Sequence, residues 1–294
     1  MEIIRESAEH HFLTFVEVMR TDPKGWVGMI LGLSRKYNHD AMISDLMTIP
    51  AKQAALAAEG DQWVDYFAEK TGILDKPTLY RFADGDVLLV TRIVTEQQQD
   101  RLFDMHREIT DQHKISSCDV LNFGREMMVA QKLADRKMLT QQRSKAYLAM
   151  ADQNRVSSIA VRRDRRDAAL ILLVEDDRFT ASYTTGILQK DYELVHSKVG
   201  EDAILAYIEH APDVVFLDIH LPGLNGHETL DAIRKVDPAA YIIMLSVDTV
   251  KENIVNASKG GASGFLKKPF SKDRMLAIVQ KSPFIKGGKV PSFS

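Results

Sequence analysis

A single cysteine, Cys118, stands in the whole chain, so an internal disulfide and a cage of cysteines around a metal are both excluded. No run of 18 apolar residues occurs anywhere in the sequence, and that rules out a membrane-spanning helix. The opening residues Met1-Glu2-Ile3-Ile4-Arg5-Glu6 lack the basic-then-apolar pattern of a secretion signal, and a cytoplasmic location is expected. A net charge of -3 gives no global case for nucleic acid or an anionic membrane as partner. What remains is an ordinary globular composition, 45% apolar and 27% charged over 294 residues. That length accommodates two domains, each with its own core.

Proline and glycine are missing from Arg125 to Asp167, where eleven basic residues face five acidic ones. The segment reads as a long exposed helix and then a flexible joint, ending in Arg162-Arg163-Asp164-Arg165-Arg166-Asp167. Its arginines are interleaved with acids and have no aromatics nearby, which argues for a solvated linker over a nucleic-acid contact. No strict heptad is visible, and a dimerising helix stays open as an alternative.

Before it, residues 1–124 carry fewer signals. Gly25 to Leu33 reads as a strand, and Asp40 to Glu59 as a helix that Pro50 kinks or splits. Thr78 to Phe82 and Val87 to Val90 flank Ala83-Asp84-Gly85-Asp86, the pattern of a hairpin with a tight turn. A helix from Thr95 to about Lys114 and a strand from Cys118 to Phe123 complete a small α+β sandwich.

After Ala168 short apolar strands alternate regularly with amphipathic helices. Strands are expected at Leu170–Val174, Tyr192–His196, Val214–Leu217, Tyr241–Leu245 and Gly264–Leu266. Helices fall near Thr180–Gln189, Gly200–His210, Gly226–Lys235, Val250–Lys259 and Ser271–Lys281. Five such units predict an α/β fold, a doubly wound parallel sheet in the order 2-1-3-4-5. The resulting division is 1–124, a helical linker 125–167, an α/β domain 168–284 and a flexible tail 285–294.

Asp218 ends the apolar run Val214-Val215-Phe216-Leu217 and precedes Pro222-Gly223 and Asn225-Gly226. A carboxylate after a strand buried on both faces belongs at the open end of the sheet, where such folds bind ligands. With strands one and three adjacent, Glu175 and Asp176 come close to it, and three crowded carboxylates call for a shared proton or cation. Oxygen-only ligands favour Mg²⁺, with the backbone carbonyl of His220 as a further ligand. Ser246 and Lys268 arrive at neighbouring strand ends, so a hydroxyl, an ammonium and a cation surround one carboxylate. That set suits phosphoryl transfer onto Asp218.

Leu172-Leu173-Val174-Glu175-Asp176-Asp177, Phe216-Leu217-Asp218 through Gly226, Met244-Leu245-Ser246 and Phe265-Leu266-Lys267-Lys268-Pro269-Phe270 resemble the receiver domain of two-component response regulators over about residues 168–284. The resemblance implies that Asp218 accepts phosphate from a histidine kinase or phosphotransfer protein. Glu175 and Asp176 would hold Mg²⁺, Ser246 would follow the phosphate, Lys268 would pair with it, and Phe265 would be the switch aromatic. Two residues depart from the commonest pattern: Glu175 replaces an Asp, and Val247 stands where a small residue is usual, which implies slower phosphate turnover. Lys267 is expected to face solvent, Asp177 to cap a helix, the His220 side chain to be exposed and Gly260-Gly261 to end a helix. His10, His11, His106 and His113 lack companion ligands at a metal spacing.

The hairpin around Asp84-Gly85-Asp86 is weakly similar to that of diguanylate cyclase (GGDEF) domains, without the family's paired glycines and following acids. This implies a degenerate, non-catalytic relative that serves interaction or dimerisation. Phosphorylation of Asp218 would then switch that domain's contacts. Two alternatives stay open: a receiver-gated enzyme in residues 1–124, and a DNA-binding regulator acting through the basic helix, although no helix-turn-helix signature stands near either end.

Overall fold

A computed structural model of the chain describes residues 1–113, 117–247 and 261–285. The chain divides into two compact units, Met1–Ser144 and Lys145–Ser294.

The first unit holds β1 (Glu2–Ile4), α1 (Ala8–Met19), β2 (Trp26–Leu31), α2 (His39–Ile43), α3 (Ile49–Lys70), β3 (Asp75–Arg81), β4 (Val87–Arg92), α4 (Glu96–Arg107) and β5 (Cys118–Leu121). Helix α5 (Met127–Ala151) begins in this unit and runs past its end. The strands form one mixed sheet, β1-β3-β4-β2-β5, in which only β1 and β3 pair in parallel. Strand side chains alternate between faces, and the two cores follow. Ile30, Tyr80, Leu88 and Val90 meet Phe12 and Val16 of α1 and Ala130 and Leu133 of α5. Met29, Leu31, Leu79 and Leu89 meet Val64 and Phe67 of α3 and Leu102 and Met105 of α4.

The hairpin expected around Asp84-Gly85 is present, with β3 and β4 antiparallel. Pro50 splits the expected helix: α2 ends at Ile43, and α3 starts at Ile49 with the proline in its first turn, where a missing N–H leaves no broken bond. Both β1 and α1 were absent from the sequence reading. Strand β1 has three residues, too few to show alternation, and α1 follows a left-handed Ser7 that makes no side-chain cap. The end of the predicted helix at Lys114 and the predicted helix Val250–Lys259 lie outside the described residues, as do Gly260 and residues 286–294 of the predicted tail.

The exposed linker helix needs correction. On α5, Ala130, Leu133, Ala134 and Lys137 are buried, so the helix belongs to a core along one side. The predicted flexible joint is also folded, as α6 (Gln153–Ser157) and α7 (Ile159–Asp164). An Asp152 carboxylate accepting from the Asn154 and Arg155 N–H groups starts α6.

The second unit continues with β6 (Leu170–Val174), α8 (Arg178–Leu188), β7 (Glu193–Ser197), α9 (Gly200–His210), β8 (Val214–Asp218), α10 (Gly226–Val236), β9 (Ile242–Ser246), β10 (Gly264–Lys267) and α11 (Lys272–Val279). All pairings are parallel, in the order β10-β9-β8-β6-β7, which is the anticipated 2-1-3-4-5 arrangement. One face buries Ile171, Leu173, Val214, Phe216, Ile243 and Leu245 against Leu188, Met275 and Val279. The intervening Leu172, Val215 and Leu217 are buried as well, as strands covered on both sides require.

Candidate acid site at the strand tips

Register brings the acids together. Val174 of β6 pairs with Leu217 of β8, so Glu175 and Asp218 each stand one residue beyond the paired ends, side by side. Glu175 is fully buried and Asp218 nearly so, whereas Asp176 is exposed. A carboxylate oxygen from each of Glu175, Asp176 and Asp218 lies within 4.8 Å of the others.

Lys268 comes in from β10. Its N–H donates to the Ser246 carbonyl at 2.8 Å, continuing the ladder in which Lys267 pairs with Ser246. The ammonium reaches Glu175 Oε2 at 2.6 Å and Asp218 Oδ2 at 3.0 Å. One cation thus faces two buried acids. Burial, reinforced by the neighbouring charge of Asp218, pushes Glu175 up to about 7 against the pull of Lys268.

The flanking turns hold these groups in place. Asp177 caps α8 by accepting from the Thr180 N–H at 2.8 Å, and its own N–H donates to Glu175 Oε1. The Glu175 backbone is fixed through its N–H to Ser197 O and its carbonyl to His196 Nε2. Beyond Asp218, the Ile219 carbonyl accepts from the Gly226 N–H, and a Cβ at Gly226 would strike the Asp218 carbonyl oxygen. Asn225 and Glu228 form a reciprocal cap that starts α10 at this point.

The structure therefore gathers Glu175, Asp176, Asp218 and Lys268 into one site, with Ser246 buried at the adjacent tip. His220 and Lys267 are exposed, and Phe265 is half-buried on β10 opposite Met244. Val247, directly after Ser246, is 58% exposed. Sequence reasoning missed Glu201, a fully buried acid in the first turn of α9. Both its oxygens accept from the Leu224 N–H at 3.1 Å, which ties down the loop after Asp218. The visible signal was the left-handed Gly223 (φ 78°), whose missing Cβ leaves room for that carboxylate.

The three carboxylates offer only hard oxygen donors around one point, which fits a small divalent cation such as Mg²⁺. Residues 171–280 match the Response regulator receiver domain family. The chemotaxis protein CheY of Bacillus subtilis is 36% identical over 114 residues, covering 38% of this chain and 95% of CheY. The chain belongs to the response regulator receiver family. Its receiver is also 33% identical over 115 residues to the nitrogen assimilation regulatory protein NtrX of Azorhizobium caulinodans, which covers 38% of this chain and 25% of NtrX. Among solved structures, Vibrio cholerae CheY4 is 27% identical, with a TM-score of 0.38 over 39% of this chain and 98% of that one. Among the described residues, no helix is long and apolar enough to cross a membrane.

Proposed function

We propose that the receiver takes a phosphoryl group on Asp218 from a histidine kinase or phosphotransfer protein, and so switches the contacts of residues 1–144. The observation that carries this reading is the Lys268 ammonium lying against both Glu175 and Asp218 at the open end of the sheet. An Asp218 carboxylate oxygen forms the new P–O bond as the donor's P–N bond breaks and its electron pair returns to the imidazole. Lys268 neutralises charge on the transferred oxygens, and the Ser246 hydroxyl turns toward them. Glu175, Asp176 and Asp218 would hold Mg²⁺ together with the His220 backbone carbonyl. That ion supplies charge neutralisation for the incoming phosphoryl group.

Movement of Ser246 would draw Phe265 inward and bias a two-state face built around β9 and β10. The first unit is best read as an interaction module, a degenerate relative of cyclase domains without catalysis. Support comes from its hairpin, where Asp84 and Asp86 are both engaged by Lys137 at 2.7 and 2.5 Å, and where Gly85 closes onto Leu56 of α3. Those acids are thereby committed to a side chain of the same unit. The basic run is likewise engaged: Arg162 donates to the Glu209 and Ile208 carbonyls, and Arg166 to Ala211 O. This favours a structural use of the arginines over duplex binding.

The test is incubation of the full chain with acetyl phosphate and Mg²⁺, followed by intact mass measurement. One phosphoryl adduct is expected, absent from Asp218→Asn. No adduct, or equal labelling of the variant, would overturn the reading.

A further inference from the structure

Glu201 stands in the first turn of α9 with no exposure to solvent. The helix starts after Val199 without a side-chain cap, and the partial positive charge of its first N–H groups makes a carboxylate tolerable there. Both oxygens of Glu201 accept from the Leu224 N–H at 3.1 Å. Leu224 is itself buried, so without the carboxylate that N–H would be stranded away from water, which is costly. Two glycines permit the approach. A Cβ at Gly200 would strike the Leu224 carbonyl oxygen, and a Cβ at the left-handed Gly223 would strike the Glu201 carboxylate.

The flanks of the same loop are fixed by other elements. The Ile219 N–H donates to Leu245 O of β9 at 3.3 Å, and the Ile219 carbonyl accepts from the Gly226 N–H at 2.9 Å. At the far side, the Thr229 hydroxyl of α10 donates to Asn225 O at 2.9 Å. Residues 220–224 therefore form a short arch that leaves Asp218, is pinned at Ile219 and Asn225, and is held at Leu224 by a side chain from α9. His220 lies in this arch, two residues past Asp218.

A leucine in place of Glu201 would fill the space without burying a charge, but it would release Leu224. What the carboxylate adds is a fixed course for the arch. We propose that Glu201 is a positioning residue of the acid site, which sets the path of residues 220–224 and with it the place of the His220 carbonyl, so that the ligand set favours Mg²⁺ over Ca²⁺. This rests on the metal and phosphoacceptor reading above. Mg²⁺ demands a compact, near-ideal octahedral shell, whereas Ca²⁺ accepts a larger and looser one. A loosened arch thus penalises the smaller ion more.

The experiment titrates Mg²⁺ and Ca²⁺ into the chelator-treated full chain by calorimetry, with Asp218→Asn as the blank that defines the heat belonging to the acid site. Glu201→Leu should weaken Mg²⁺ binding by about tenfold or more, and Ca²⁺ binding by about threefold or less. Glu201→Gln keeps an oxygen for the Leu224 N–H and should stay within about threefold of the wild type for both ions. Ile208→Val truncates a buried residue two turns further along α9; it lowers stability without altering Glu201 and should leave both affinities unchanged. If Glu201→Leu does not fold, Gly223→Ala takes its place, because the added Cβ displaces the carboxylate, and the same selective loss is expected. A wild-type Mg²⁺ affinity in the leucine variant, equal losses for the two ions, or a matching loss in Ile208→Val overturns the positioning role. Mg²⁺ heat that survives Asp218→Asn overturns the metal reading first, and the positioning role with it.

Discussion

Glu175, which has no exposure to solvent, is sealed under Lys268, whose ammonium stands 2.6 Å from its carboxylate. The same ammonium reaches Asp218 at 3.0 Å, so one side chain offsets the charge of two. Removing it leaves a buried carboxylate with no counter-charge beside a second acid. Lys268→Met should therefore cost about 3 kcal/mol of stability in chelator-treated protein, measured by urea unfolding. Added Mg²⁺ should restore part of that stability without restoring labelling from acetyl phosphate. Full recovery of labelling would mean that Lys268 only offsets the charge of the acids and takes no part in phosphoryl transfer.

Val247 bears on turnover of the product. The side chain directly follows Ser246, which is buried at the end of β9, and is 58% exposed. Screening the phosphoryl group from water should slow its hydrolysis. Val247→Ala is expected to shorten the lifetime of the phosphorylated chain by up to about tenfold, equivalent to about 1.4 kcal/mol in the barrier. Equal decay of the two proteins, followed by intact mass, would discard the idea.

Much of the receiver was legible because its strands are continuous apolar runs that stop at charged or turn residues. Val214 to Leu217 can be read as buried on both faces, and Asp218 then has nowhere to go but the tip. Asn225-Gly226 and Lys268-Pro269 mark their turns by backbone preference alone. The first unit was harder because its strands are short and its sheet is mixed. In β3–β4 the Asp-Gly turn was plain, yet nothing local announced that Asp84 and Asp86 would be claimed by Lys137, more than fifty residues away. The pairing depends on how α5 packs on the sheet. A lysine in a basic, proline-free segment reads as solvent-facing until its neighbours Ala130, Leu133 and Ala134 are seen to be buried. Arg163 is the same case, hidden among four arginines in two pairs either side of Asp164.

Asp237 supplies a pH-dependent prediction. Burial pushes its carboxyl up, but hydrogen bonds from Tyr207 and Arg163 outweigh burial and hold it below the usual carboxylate range. A group depressed in the folded state contributes stability above its unfolded pKa of about 3.9, and that contribution is lost as pH falls through the folded value. Asp237→Asn should cost about 3 kcal/mol at neutral pH by leaving Arg163 buried without its carboxylate. The variant should also lose stability less steeply than the wild type below about pH 4. Parallel acid-unfolding curves for the two proteins would count against the assignment.

The exposed and buried acids of the site should respond differently to the same metal. Asp176 is exposed while Glu175 and Asp218 are buried, so neutralising Asp176 removes a ligand without relieving a desolvated charge. Asp176→Asn should leave metal-free stability within about 0.5 kcal/mol of the wild type. Asp218→Asn instead takes one negative charge away from Glu175 and should raise metal-free stability, leaving Lys268 to pair with a single acid. Wild type should gain about 1.4 kcal/mol when Mg²⁺ reaches ten times its dissociation constant, because only the folded chain assembles the ligand set. Both variants should lose most of that increment at the same concentration. Thermal unfolding with chelator and then with Mg²⁺ separates the two effects. An Asp218→Asn chain that gains as much from Mg²⁺ as the wild type would show that the cation is held elsewhere.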